Sequence, residues 1–202
     1  MSNKEQILRE SFMLFLKNGY EAVSLVDIEK ACGVSRGGIY HHFKSKESIF
    51  IESIGKFVFE FLGSTPVESV PDHTSISSPL RTFLSLTLEN IEHRMKLFHE
   101  RFGNEVSARN LFALVFYLRN NYPNTKTRIE ESSYNDQEKW VGVIEDAIKA
   151  NEIKNTVDIE QLALNFRNIY VGKSISDSLN EELVVEELRS QWMNIYNLIR
   201  LK

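Results

Sequence analysis

Arg36, Tyr40, His41, His42, Lys44 and Lys46 crowd into a stretch, 35–46, that contains no acidic residue. The planar fork of an arginine can grip O6 and N7 of guanine bidentately. A tyrosine offers a ring for a thymine methyl and a hydroxyl for phosphate, and an ammonium at a helix start adds to backbone N–H groups that already favour phosphate. Ile39 and Phe43 are four residues apart and can pack inward; Arg36, Gly37, Tyr40 and His41 then project the other way. Gly37 removes a side chain where such a helix would approach a duplex. Adjacent His41 and His42 face different sides of a helix, which argues against a shared metal.

Other chemistry is sparse. The sequence has no nucleophile elbow, metal-ligand spacing, phosphate-binding glycine loop or dinucleotide fingerprint, and His93 and His99 fall on different helix faces. No enzyme and no cofactor is expected. The single cysteine, Cys32, excludes an internal disulfide and a cysteine zinc cage, and reads as a small buried hydrophobe.

The net charge of −4 argues at first sight against a polyanionic partner, but its distribution does not. Residues 1–56 carry 8 Lys/Arg and 7 Asp/Glu, a sum of +1, whereas 57–202 carry 16 and 21, a sum of −5. A local basic patch on an acidic chain suits local contact with nucleic acid. The start, Met1 to Gln6, lacks an apolar signal-peptide core, and the longest apolar run, Leu111 to Leu118, is too short to span a bilayer. A cytoplasmic protein with no membrane partner is expected.

The elements that must hold these residues read as helices throughout. Ile7, Leu8, Phe12, Phe15 and Leu16 recur at helical spacing over about 4–18, and Gly19 stops that helix. Ser24 opens a short helix, with Asp27 placed for a capping box, and Gly33 ends it. Ser35 caps the next, about 36–42, and a longer helix covers 46–62. Two short helices joined by a tight glycine-containing turn are a helix-turn-helix signal. Gly63 to Ser77 reads as a loop with two prolines; Ser78-Pro79 restarts a helix carrying Leu80, Phe83, Leu84, Leu88, Ile91, Met95 and Phe98. Further helices are expected at about 105–121, 126–150, 158–178 and 181–201. The fold class is therefore all-α, with about nine helices.

The run Val34-Ser35-Arg36-Gly37-Gly38-Ile39-Tyr40-His41-His42-Phe43-Lys44-Ser45-Lys46-Glu47, with its lead-in Gly19-Tyr20, Ser24, Asp27-Ile28 and Ala31-Cys32-Gly33-Val34, closely resembles the signature of TetR-family repressors. The resemblance covers about a quarter of the chain. It implies a DNA-binding domain at 1–47, with the helix at 46–62 as connector, and an effector-binding and dimerisation domain at 48–202. It implies mainly DNA-backbone contacts from Ser24, Ser35, Tyr40, His41, His42 and Lys46, and base-facing positions at Arg36, Gly37 and Gly38. It further implies a homodimer on palindromic operator DNA, probed by a small-molecule effector.

Two positions depart from the family pattern. Glu29 stands where a small residue is usual, so the helices could sit apart or Glu29 could swing to solvent. Gly38 stands where Thr, Ser, Ala or Pro is usual, which predicts a loosely formed recognition helix, since glycine costs about 1 kcal/mol relative to alanine.

In the body, the resemblance assigns the dimer interface to the last two helices, here to the stripes Phe166, Ile169, Tyr170, Leu188, Trp192, Ile195 and Ile199. It places an inducer among the aromatics between head and bundle: Phe83, Phe98, Phe102, Phe112, Phe116, Tyr117, Trp140 and Phe166. Such walls suit an apolar or amphipathic ligand.

Overall fold

The structure, a computed structural model, describes residues 3–62, 77–122, 126–180 and 182–201, with only the backbone described at 59–62 and 126–134. Among the described residues it has nine helices: α1 (Asn3–Asn18), α2 (Leu25–Cys32), α3 (Arg36–His42), α4 (Lys46–Leu62), α5 (Pro79–Phe102), α6 (Ala108–Asn121), α7 (Lys126–Lys149), α8 (Ile159–Ser178) and α9 (Val185–Ile199). The expected loop at 63–77 lies outside the described residues except for Ser77, as does the side chain of Phe61. Packing divides the chain into two compact units, Met1–Leu62 with Phe98–Lys126, and Gly63–Leu97 with Thr127–Lys202.

In the first unit the predicted face of α1 is fully used: Ile7, Leu8, Phe12, Phe15 and Leu16 are all buried. Phe12 meets Phe57 of α4 and Phe102 of α5, each at 5.0 Å between ring centroids, and Phe15 meets Phe50 edge-on at 5.2 Å. Gly19 takes φ 77°, the left-handed turn that a side chain disfavours, and the Asn110 amide donates to Leu16 O at 2.9 Å near the end of α1. Leu111, Leu114 and Leu118 of α6 complete this core. The packing unit around the helix-turn-helix is thus larger than residues 1–47, because α4 and α6 are built into it.

In the second unit Trp140 is the centre. It stacks on Phe166 (5.4 Å, 6° between planes) and meets Phe83 and Trp192 edge-on at 4.8 and 5.3 Å. Leu80, Leu84, Leu88, Val143, Ile144, Leu162, Leu188 and Tyr196 close around these rings. The orphan N–H groups at the start of α5 are met from afar: Glu152, buried, accepts from Leu80 N at 2.8 Å and Arg81 N at 2.9 Å, placing a carboxylate against the positive end of the helix. An isolated antiparallel bridge, Ile153 to Arg200, ties the end of α9 to the turn after α7.

Three residues of the expected dimer stripe are taken up within their own chain. Phe166, Leu188 and Trp192 are closed inside their own chain, and the indole of Trp192 donates to Phe166 O at 2.9 Å. Ile169, Tyr170, Ile195 and Ile199 are half-buried against the same core. The periodicity of α8 and α9 turns Phe166, Leu188 and Trp192 inward and leaves Ile169, Tyr170, Ile195 and Ile199 partly exposed. Their outer sides carry exposed Val171, Gly172, Leu179 and Leu198.

Candidate nucleic-acid interface

The helix-turn-helix is assembled by local caps. The Ser24 hydroxyl accepts from Asp27 N at 3.2 Å, while Asp27 accepts from Ser24 N at 2.8 Å and Ser24 Oγ at 2.6 Å, a complete capping box. Hydrogen bonds from the Ser24 hydroxyl and then its backbone hold the Asp27 carboxyl below the usual range. Gly33 ends α2 at φ 64°, and Ser35 caps α3 by accepting from Gly38 N at 3.3 Å. The Gln6 amide of α1 donates to Cys32 O at 3.0 Å, fixing the end of α2. Cys32 is buried, and burial, with a lesser push from Glu10, raises its thiol pKa to about 11; it is kept as a neutral core group.

The two faces of α3 separate as the spacing predicts. Ile39 and, just past the helix, Phe43 are buried, whereas Arg36, Gly37, His41 and Tyr40 (50% exposed) face solvent. The exposed hydroxyls of Ser24 and Ser35 lie at the N-termini of α2 and α3. His42 is half-buried, its ring 4.9 Å from that of His41.

The two glycines of α3 differ in kind. A Cβ at Gly37 would meet no atom within 4 Å, so nothing in the chain requires glycine there. A Cβ at Gly38 would stand 2.6 Å from Val34 Cγ1, and a valine is stiff at χ1. Gly38 is thus a packing glycine beneath Val34, in a helix that spans Arg36–His42. Gly37→Ala should therefore raise the melting temperature, adding about 0.5–1 kcal/mol of helix propensity, and Gly38→Ala should lower it. Circular-dichroism melts would check the pair; equal shifts in both would contradict the distinction.

Lys46 has a different position from the one its sequence suggests. Its ammonium donates to Tyr20 O at 3.0 Å and Val23 O at 2.8 Å, and lies 4.1 Å from the Tyr20 ring centroid. Two of its three N–H donors are spent holding the α1–α2 connection against α4. Lys46→Ala should cost the head about 1–3 kcal/mol of stability, as charged hydrogen bonds do, and leave the salt dependence of DNA binding nearly unchanged. Loss of about one unit of salt slope without loss of stability would restore the direct phosphate contact.

Glu29 is the departure for which the sequence left two readings open. It does not swing free: its Oε1 accepts from Arg36 Nε at 2.7 Å.

The expected ligand aromatics divide between the units. Phe98 and Phe102 are buried in the first, with Phe112 half-buried and Phe116 53% exposed. Tyr117 joins a ring cluster with Tyr20, Phe50 and Tyr122, and its hydroxyl donates to Glu21. Phe83, Trp140 and Phe166 belong to the second unit. His93 and Arg109 are exposed.

A capped helix-turn-helix with a polar, basic, exposed second helix defines the class: a helix-turn-helix DNA-binding protein. Comparison with known proteins agrees. Residues 7–52 match the pattern described as bacterial regulatory proteins, tetR family. The chain is 27% identical over 165 residues to the HTH-type transcriptional repressor KstR2 of Rhodococcus jostii, covering 81% of this chain and 73% of that protein. It is 26% identical over 203 residues to the negative regulator IcaR of the biofilm operon in Staphylococcus aureus, covering 98% and 97%. A putative regulator from Saccharomonospora viridis, solved in complex with choline, shares the fold at TM-score 0.71 and 19% identity over 98% of each chain. Residues 7–52 thus carry the tetR-type helix-turn-helix, and over most of its length the chain is similar to transcriptional regulators that share it.

Proposed function

We propose that this chain represses transcription by binding a palindromic operator as a homodimer, and that a small apolar or amphipathic ligand releases it. The observation that carries the reading is α3. Its inward residues, Ile39 and then Phe43, are buried in the head, and its outward residues are an arginine, a space-making glycine, a tyrosine and a histidine. Residues 1–47 would form the reading head, with α4 as connector to the regulatory part. A gel shift with the DNA flanking its own gene, competed by scrambled duplex, tests this; equal competition by both would refute it.

For the dimer, the support is the outer side of α8 and α9. Gly172 and Ser176 lie a turn apart with Val171 beside them, a smooth stripe that allows close helix approach, and Leu198 stands 73% exposed on α9. A two-fold protein matches a two-fold operator.

For the ligand, the support is in the second unit. Thr87 Oγ1, Trp140 Nε1 and Gln137 Oε1 are buried without a hydrogen-bond partner among the described atoms, and buried polar groups are normally satisfied. Unmet donors and acceptors of this kind suit a ligand with an apolar body and a few polar atoms. The choline complex of the Saccharomonospora viridis protein shows that a relative of this fold takes a small molecule. Coupling is supported by α5, which contributes Pro79–Leu97 to the second unit and Phe98–Phe102 to the first. Linkage requires reciprocity: operator DNA must weaken ligand binding by the factor by which ligand weakens operator binding. Calorimetry with and without operator checks this, and equal ligand affinity in both titrations would leave the body as a dimerisation module.

A further inference from the structure

Arg36 is held by a partner from the other helix of the motif. Glu29 on α2 and Arg36 on α3 are seven residues apart across the glycine turn, and Glu29 Oε1 accepts from Arg36 Nε at 2.7 Å. The carboxylate is three-quarters covered (25% exposed), while the arginine side chain is 56% exposed. The bond uses the inner nitrogen of the guanidinium. The contact is through Nε alone, so the terminal Nη1 and Nη2 keep their donors for another acceptor. The two residues that follow Arg36 are glycines, so the first turn of α3 offers one side chain for reading.

We propose that Glu29 is a positioning and specificity-determining residue: it clamps Arg36 by Nε so that the end of the guanidinium fork is presented to O6 and N7 of one guanine. This rests on the DNA-reading function proposed above. A free arginine carries considerable rotamer entropy, much of it lost on binding. A clamp that has already restricted the side chain removes part of that loss at guanine, and only there. The pair need not stabilise the fold, since exposed ion pairs contribute little. Glu29 has a second effect. In helix-turn-helix docking the first helix crosses the phosphate backbone. A carboxylate on α2 therefore repels DNA of any sequence, while the fork beside it rewards one base. Both effects raise the ratio of specific to non-specific binding. The guanidinium is charged at any physiological pH, so the fork is always a donor.

The two effects have opposite signs when Glu29 is removed, and a merely structural role would not produce that. The test is selection from a randomised duplex library by the full-length wild type, Glu29→Ala, Glu29→Gln, Arg36→Ala and the double variant, each checked for folding by thermal melt. The wild type should enrich a palindrome with one strongly preferred guanine per half-site. Glu29→Ala should weaken that preference roughly fivefold, the share of a bidentate contact that orientation supplies. It should bind scrambled duplex as tightly as the wild type or tighter. Glu29→Gln, which keeps an acceptor but no charge, should fall between. In the Arg36→Ala background, Glu29→Ala should cause no further loss at that guanine. Unchanged guanine preference in Glu29→Ala overturns the proposal, as does the same loss with and without Arg36. Loss of a preferred cytosine instead would mean that Glu29 reads a base itself. A wild type that enriches no sequence would overturn the DNA-reading function, a result distinct from these because it precedes any variant.

Discussion

Aspartate at Trp192 is expected to unfold the second unit, whereas aspartate at Leu198 should leave a folded chain that no longer dimerises. Trp192 is fully buried, meets Trp140 at 5.3 Å and donates its indole N–H to Phe166 O. Removing such a ring costs about 3–5 kcal/mol, and an unpaired charge in its place costs several more. A domain has about 5–15 kcal/mol in total. Leu198, 73% exposed, loses almost nothing within its own chain, because exposed substitutions usually stay within about 0.5 kcal/mol. Thermal denaturation and sedimentation velocity on the two variants separate the outcomes. A folded monomer from Trp192→Asp would contradict the inward placement of that ring, and an intact dimer from Leu198→Asp would contradict the outer side of α9 as the dimer face.

The second large effect is at Arg36. Arg36→Ala should lose about 1–3 kcal/mol of discrimination at one base pair in each half-site. Because a dimer places the residue twice, the loss on a palindrome is roughly double that on one half-site. Affinity for scrambled DNA should change far less, since only one phosphate-competent cation per protomer is removed. Titration of operator and scrambled duplex at fixed salt gives the ratio directly. An unchanged ratio would mean that Arg36 is not a base reader, and Glu29 would then have nothing to position.

What was legible in the sequence is what short-range physics encodes. The caps at Ser24 and Ser35, the turns at Gly19 and Gly33 and the apolar face of α1 each depend on residues within a few positions of one another. Helix bounds followed to within a few residues; the largest departures were the start of the last helix, Val185 rather than about 181, and the end of α5, Phe102 rather than about 98. Contacts across long separations were not legible. The α5 N-terminus is met by Glu152, 72 residues from Leu80, where Ser78 alone was expected to cap. Lys46 reads locally as a phosphate contact, but carbonyls 26 and 23 residues earlier claim its ammonium. Apolar periodicity names the buried side of α8 and α9 but not what buries it, so a stripe that fills its own core resembles one that awaits a partner. The pairing of Glu29 with Arg36 was within reach: an acid where a small residue is usual, seven positions before an arginine across a fixed turn.

Hydroxyl-radical footprinting on a selected palindromic duplex, with the bound stoichiometry measured alongside, tests the central claim most directly. Two copies of the chain should protect two stretches on one side of the duplex, centred about one helical turn or a whole multiple apart, each containing the preferred guanine. A single protected stretch at one chain per duplex, or protection with no dependence on sequence, would contradict it.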